Sequence, residues 1–201
     1  MPLTGAHAPG ATPLTPEDVA GLKVRSVATH GELNEAEANN IIKAQQWGLR
    51  SRLVRVPQML ADEFMQRLHR EMFSEVWAWA GRYRERDTNS GVAHHLIRQE
   101  LRRAYDDARA WLQHGTYSPE EFVVRLHYRL VTVHPFPNGN GRHARMVAGL
   151  ALVRHFKADP LPWDGSALRR SDATRQAYID ALLAADHHNF APLLAFARAT
   201  T

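Results

Sequence analysis

Leu60, Phe64, Leu68 and Met72 recur every four residues, with Met65, Phe73 and Val76 beside them. Side chains four apart stack on one face of an α-helix, so this run predicts a long amphipathic helix ending near Gly81, after Trp77 and Trp79. The same spacing governs most of the chain. Asn34 to about Leu49 is helix-favouring, with Ala36, Ile41, Ile42, Ala44 and Trp47 as its apolar positions. Ile97, Leu101, Tyr105, Ala108 and Leu112 form another stripe, which stops at His114-Gly115, where glycine supplies a C-terminal brake. Ser118-Pro-Glu-Glu has the form of a helix start, with Ser as N-cap, Pro at the first helical position and acids in the first turn. Phe122, Leu126 and Leu130 then make one buried stripe, and Met146, Leu150, Val153 and Phe156 mark the next helix, closed by Asp159-Pro160. Ala173 to Ala185 and Phe190 to Ala199 complete the chain as helices.

Residues 81–95 break the pattern. Gly81-Arg-Tyr-Arg and Gly91-Val-Ala-His flank the turn-prone Asp87-Thr-Asn-Ser-Gly, which predicts a short β-hairpin. Residues 1–20 are rich in Pro, Gly, Ala and Thr and carry no apolar period, so they read as a flexible arm leading into one domain over 21–201. The expectation is an all-α domain with one short hairpin. Its 201 residues suit a single core. With no cysteine, neither a disulfide nor a thiolate metal site holds the fold. No stretch approaches the roughly 20 apolar residues of a membrane span, and no secretion signal is recognisable, so the expected setting is cytoplasmic. The net charge of +4 comes almost wholly from arginine. Because the arginines are scattered, that charge does not by itself argue for nucleic acid.

The stretch that can carry chemistry is His134-Pro-Phe-Pro-Asn-Gly-Asn-Gly-Arg-His-Ala-Arg145, lying between two helical segments. Gly139-Asn140-Gly141 lets successive N–H groups turn toward one point at a helix start, which makes an anion nest backed by the helix dipole. Arg142 and Arg145 are three apart on that first turn and can both reach phosphate oxygens. His134 precedes the loop, where an imidazole can take a proton from a hydroxyl. Asn138 offers an amide oxygen to a Mg ion, and Phe136 is placed to pin the loop to the core. The plainer readings are an ordinary turn, a cap at Asn138 or Asn140, and a solvated arginine face. The conjunction of the histidine, the glycines and the arginines around one helix start favours the first reading.

The segment resembles the signature of the Fic (Fido) family, H-x-F-x-[D/E]-G-N-G-R-x-x-R, at His134, Phe136, Gly139, Asn140, Gly141, Arg142 and Arg145. Gly10-Ala-Thr-Pro-Leu-Thr-Pro, Gly31-Glu-Leu-Asn-Glu and Asn138 resemble the subgroup called mobile mystery protein B. The resemblance implies the Fic helical bundle and transfer of AMP from Mg-ATP to a Ser, Thr or Tyr hydroxyl of a target protein. It makes His134 the general base, Gly139, Asn140, Gly141, Arg142 and Arg145 the phosphate site, and Asn138 the metal ligand. The hairpin becomes a flap that docks the target, and Tyr178 becomes a possible adenine contact.

Two departures from the family pattern stand out. Asn138 replaces an acidic residue and weakens the expected hold on Mg. Many members restrain themselves with a glutamate in S/T-x-x-x-E-G/N, and aligning Glu35 to Ala44 with that helix sets Lys43 in the glutamate's place. Control is therefore expected from a separate inhibitory, antitoxin-like protein or from the weak metal site, with Glu32 and Glu35 as secondary candidates. The rival function is a non-catalytic nucleotide-binding or toxin–antitoxin interaction module, with DNA binding third. His94-His95 and His187-His188 do not form a zinc pattern.

Overall fold

A computed structural model describes residues 12–24, 27, 29–51, 54–163 and 172–199. In chain order the helices are α1 (Pro16–Ala20), α2 (His30–Arg50), α3 (Val56–Met59), α4 (Asp62–Phe73), α5 (Ile97–His114), α6 (Pro119–Val133), α7 (Asn140–Ala151), α8 (Asp172–Asp186) and α9 (Ala191–Arg198). A 3₁₀ turn at His94–Leu96 leads into α5, and a π-helical turn at Leu152–Phe156 prolongs α7. Helix α2 packs on α4, α6 packs on both α5 and α7, and α9 packs on α8. Leu68 and Met72 of α4, Leu126 and Leu130 of α6, and Ala144, Val147 and Leu150 of α7 are buried together at the centre. Each large apolar side chain so buried contributes about 1.5–3 kcal/mol relative to exposure.

The starts and stops follow local chemistry. Thr29 and Glu32 close a capping box at the head of α2, which sets the start upstream of Asn34. Ser118 accepts from the Glu121 N–H and Pro119 opens α6, while Gly115 ends α5 in the left-handed conformation at φ 57°. The run from Leu60 does not form one helix. Leu60 lies between α3 and α4, and α4 ends at Phe73, well short of Gly81. The stop is made by Asn40 of α2, whose amide donates to the Glu71 carbonyl (2.8 Å) and accepts from the Glu75 N–H (3.0 Å). The inward face of α2 includes Ala44 as expected, with Ala36, Ile41 and Trp47 partly buried against the core, but it also carries Leu33, Glu37 and Asn40, and Ile42 is 52% exposed.

The expected β-hairpin is not formed. Among the described residues there is no strand, and an isolated antiparallel bridge joins Leu22 to Trp77. Residues 81–93 are a loop whose backbone pairs with the chain around His134 instead of with itself: Arg84 N–H donates to the Pro135 carbonyl (2.9 Å) and Val92 N–H to Val133 (3.4 Å). The buried Arg84 side chain fills the middle of the loop, donating to the carbonyls of Arg86 (2.9 Å) and Val92, so no cross-strand ladder can close there.

Of the stretch expected to be an arm, residues 1–11 lie outside the described residues. Residues 12–20 contain α1, which begins with a Thr15–Asp18 capping box and is followed by Gly21, against Trp79. Among the described residues no helix is long and apolar enough to cross a membrane.

Candidate active site

Helix α6 ends because His134 turns left-handed, at φ 54° and ψ 59°, with Pro135 directly after it. A non-glycine residue in that region costs about 1–3 kcal/mol, so its surroundings must hold it there. They do so from two sides. Arg84 Nε donates to the His134 carbonyl at 2.7 Å, and Gly91 lies so close that a Cβ on it would sit 2.5 Å from the His134 Cβ. Burial pushes the His134 imidazole down to about 4, helped by the Arg84 cation and opposed by a hydrogen bond to the Val131 backbone. The ring is therefore neutral near pH 7. Its Nε2 lies 2.9 Å from the Thr12 hydroxyl.

The chain from Pro135 to Asn138 rests on an aromatic and histidine stack. Phe136 is fully buried, stacked on His69 at 3.8 Å and edge-on to His143 at 5.0 Å. His69 Nδ1 accepts from the Gly81 N–H (3.0 Å), which leaves its Nε2–H to donate to the Asn138 carbonyl (3.1 Å). Complete burial holds both His69 and His143 below their ordinary range, the latter at about 4.

The helix start follows. Gly139 has φ 79°, and a Cβ there would lie 2.7 Å from the Phe73 ring, so glycine is required on both counts. Gly141 differs: a Cβ would meet only Arg145 Nη1 at 3.5 Å, an ordinary contact, so the fold itself tolerates a side chain there. Asn140 is buried and braces the loop, accepting from Phe136 N–H (2.9 Å) and donating to its carbonyl (2.8 Å). Its side chain is thus committed to the loop, while its N–H stays on the first turn of α7. Arg142 forms an ion pair with Glu37, lies 5.0 Å from the Phe73 ring centroid, and donates to Asn138 Oδ1 at 3.4 Å. The Arg145 guanidinium lies 5.9 Å from the Tyr178 ring centroid. Tyr178 is itself buried, with its hydroxyl 2.8 Å from His127 Nε2, so its link to the site runs through Arg145.

Asn138 Oδ1 accepts from Gly139 N–H at 2.6 Å as well as from Arg142. An oxygen already serving N–H donors is not presented to a hard cation, which wants near-octahedral oxygen ligands. Among the described residues no group of three or more His, Cys, Asp or Glu gathers to hold an ion. In this arrangement the protein's own donors do not fit a magnesium ion.

Several residues of this site were not singled out by the sequence. Glu37 corrects the placement of Lys43. The buried Glu37 carboxylate takes Arg142 on Oε2 and the Trp77 indole N–H on Oε1 (2.7 Å), whereas Lys43 pairs with Glu75 on the exposed side of the helix. Glu32 is occupied in capping α2, and Glu35 is exposed. Arg84, His69 and Gly91 were also missed. The available signal was in α2: Glu37 shares a face with Leu33, Asn40 and Ala44 at helical spacing, and a carboxylate inside an inward face requires a partner.

Residues 59–152 match the sequence model of the Fic/DOC family, and this part of the chain belongs to that family. Protein adenylyltransferase Fic of Nematostella vectensis is 28% identical over 152 residues, 73% of this chain and 33% of the relative. A uridine 5'-monophosphate transferase of Xanthomonas campestris pv. campestris is 40% identical over 67 residues, 29% of this chain and 12% of the relative. The chain thus spans only a minor part of the length of these curated relatives. Among solved structures, BepC, a VirB-translocated effector of Bartonella tribocorum with bound AMPPNP, has a TM-score of 0.65 at 17% identity. That similarity covers 92% of this chain and 97% of BepC, and it establishes a shared fold.

Proposed function

We propose that this chain transfers a nucleoside monophosphate, AMP before others, from Mg-ATP to a Ser, Thr or Tyr hydroxyl of a target protein. The observation that carries the reading is the meeting, across one short loop, of a neutral His134 Nε2 already on a hydroxyl and an α7 start beside Arg142. His134 accepts the hydroxyl proton, the hydroxyl oxygen attacks the α-phosphorus, and pyrophosphate leaves. The N–H groups of Gly139, Asn140 and Gly141 and the Arg142 and Arg145 guanidiniums hold the phosphates, and the bare Gly141 admits them closely. Mg arrives on the triphosphate as part of the substrate, and a cytoplasmic setting supplies both.

The names of the relatives support nucleotidyl transfer and leave the base open between adenine and uracil. Glu37 supplies restraint from within the chain, since a triphosphate must take Arg142 from it. A separate inhibitory, antitoxin-like protein would act in addition. A specific observation favours the second reading, a nucleotide-binding or interaction module without catalysis: the neutral amide of Asn138 is spent inside the loop.

The deciding experiment is incubation with α-labelled ATP and Mg, with and without bacterial lysate, using wild type, Asn138→Asp, Glu37→Gln and His134→Ala. Protein-bound label should fall by about 10²–10⁴-fold in His134→Ala. Absence of label from wild type, Asn138→Asp and Glu37→Gln alike would move the assignment to the binding module.

A further inference from the structure

The hydroxyl that meets His134 belongs to the chain itself. Thr12 Oγ1 lies 2.9 Å from His134 Nε2, and Asn138 Nδ2 donates to the Thr12 carbonyl at 3.2 Å, so both the side chain and the backbone of Thr12 are held by the site loop. The segment behind it is fixed. Leu14 enters the core, and Asp18 is buried with its carboxylate accepting from the Thr15 N–H (2.9 Å), the Thr15 hydroxyl (3.1 Å) and Arg86. Trp79 Nε1 donates to the Asp18 carbonyl (3.2 Å), Lys23 N–H to Val76 (2.8 Å), and Ala78 N–H to Gly21 (2.8 Å). Residues 12–23 form a strap anchored at both ends, with one hydroxyl delivered to one histidine.

We infer that Thr12 is an internal acceptor: the chain transfers a nucleoside monophosphate to its own Thr12 hydroxyl. This rests on the proposed nucleotidyl transfer and names one acceptor for it. In the step, His134 Nε2 takes the proton from Thr12 Oγ1 and the Oγ1–Pα bond forms. The bond from Pα to the bridging oxygen breaks, and pyrophosphate departs with that oxygen from a nucleoside triphosphate. The product is a phosphodiester on Thr12. Thr15 cannot substitute for it, because its hydroxyl is bound within the α1 cap. Holding acceptor and base in one geometry makes the reaction unimolecular in protein once the triphosphate is bound.

The test is incubation of the full chain with Mg and α-labelled ATP or UTP over a series of protein concentrations, alone and with lysate. Fragmentation mass spectrometry then locates the modification in the tryptic peptide ending at Lys23, which contains Thr4, Thr12 and Thr15. Label is expected on Thr12, with a rate per molecule independent of protein concentration. Thr12→Val should remove it, Thr12→Ser should restore it, and His134→Ala should lower it by about 10²-fold or more. Label on lysate proteins with Thr12 unmodified would overturn this inference and leave nucleotidyl transfer standing. Absence of label on any protein, with Glu37→Gln included, would overturn both.

Discussion

The two halves of the proposed site, for the acceptor and for the phosphates, are built in opposite ways. On the acceptor half, His134, Phe136 and the Asn138 carbonyl are held by groups with no exchangeable partner: Arg84, His69, His143 and the close approach of Gly91. On the phosphate half, the positive groups are covered by substitutes. Glu37 covers Arg142, and the Asn138 amide oxygen covers the Gly139 N–H. On the proposed function, the acceptor half is prepared for chemistry before any ligand arrives, while the phosphate half would exchange internal partners for a ligand. Preorganisation matters most where a proton moves, and replaceability matters where a charged ligand must enter and leave.

Acid should strain the acceptor half most, because three of the four buried histidines, His134, His69 and His143, lie there. His134 and His143 are pushed down to about 4, and His69 and His127 are lowered well below the ordinary 6.5, in each case chiefly by burial. The unfolded chain takes up these protons as pH falls through about 6.5, while the folded chain does not. Stability is therefore complete above that value and declines below it, by up to about 1.4 kcal/mol per pH unit for each histidine. Urea midpoints measured at about pH 7.5 and about pH 5.5 should differ by more than surface groups explain. Equal midpoints would mean that the four rings are not buried in the neutral form.

Gly91→Ala attacks the same half sterically. Its φ of 99° and a Cβ 2.5 Å from the His134 Cβ leave no room to adjust. We expect a loss of about 2–4 kcal/mol together with loss of transfer activity. Gly115→Ala is the control: it has φ 57° but nothing within 4 Å of its Cβ, and should cost about 1 kcal/mol with activity retained. Comparable losses for the two would show that the Gly91 contact is unimportant.

The phosphate half should respond in the other direction. Glu37→Gln keeps an acceptor for Trp77 Nε1 but releases Arg142 from its ion pair. Nucleotide affinity should rise by about tenfold, equivalent to about 1.4 kcal/mol, in a calorimetric titration. Unchanged affinity would mean that Arg142 does not meet the ligand.

What could be read in the sequence was the part governed by neighbours along the chain. The stripe Phe122, Leu126, Leu130, the Ser118-Pro119 start and the Gly115 stop depend on spacing and local hydrogen bonds, and each stands where the sequence placed it. The signature residues could be found because they are contiguous. The supports could not. Arg84 reads as a surface arginine until the loop folds over it, and Asp87-Thr-Asn-Ser-Gly reads as a hairpin turn because nothing local reveals that a buried guanidinium will occupy the space between the arms. Helix α4 was overextended for the same reason, since its stop is supplied by Asn40 from another helix. Glu37 is hard to find because the inward face of α2 mixes polar with apolar residues, while the apolar Ile42 points outward.

The Trp77–Glu37 hydrogen bond gives the molecule an optical property. Trp77 stacks on Trp79 at 4.9 Å between ring centroids, and its indole N–H rests on the carboxylate that neutralises Arg142. An indole's emission shifts with the charge and hydration around it, so this pair reports the state of that carboxylate without any attached dye. Departure of Glu37 from Arg142 can be followed by ultraviolet excitation of the unlabelled chain, on the millisecond scale of a mixing experiment, while Trp47, Trp111 and Trp163 supply a separate background.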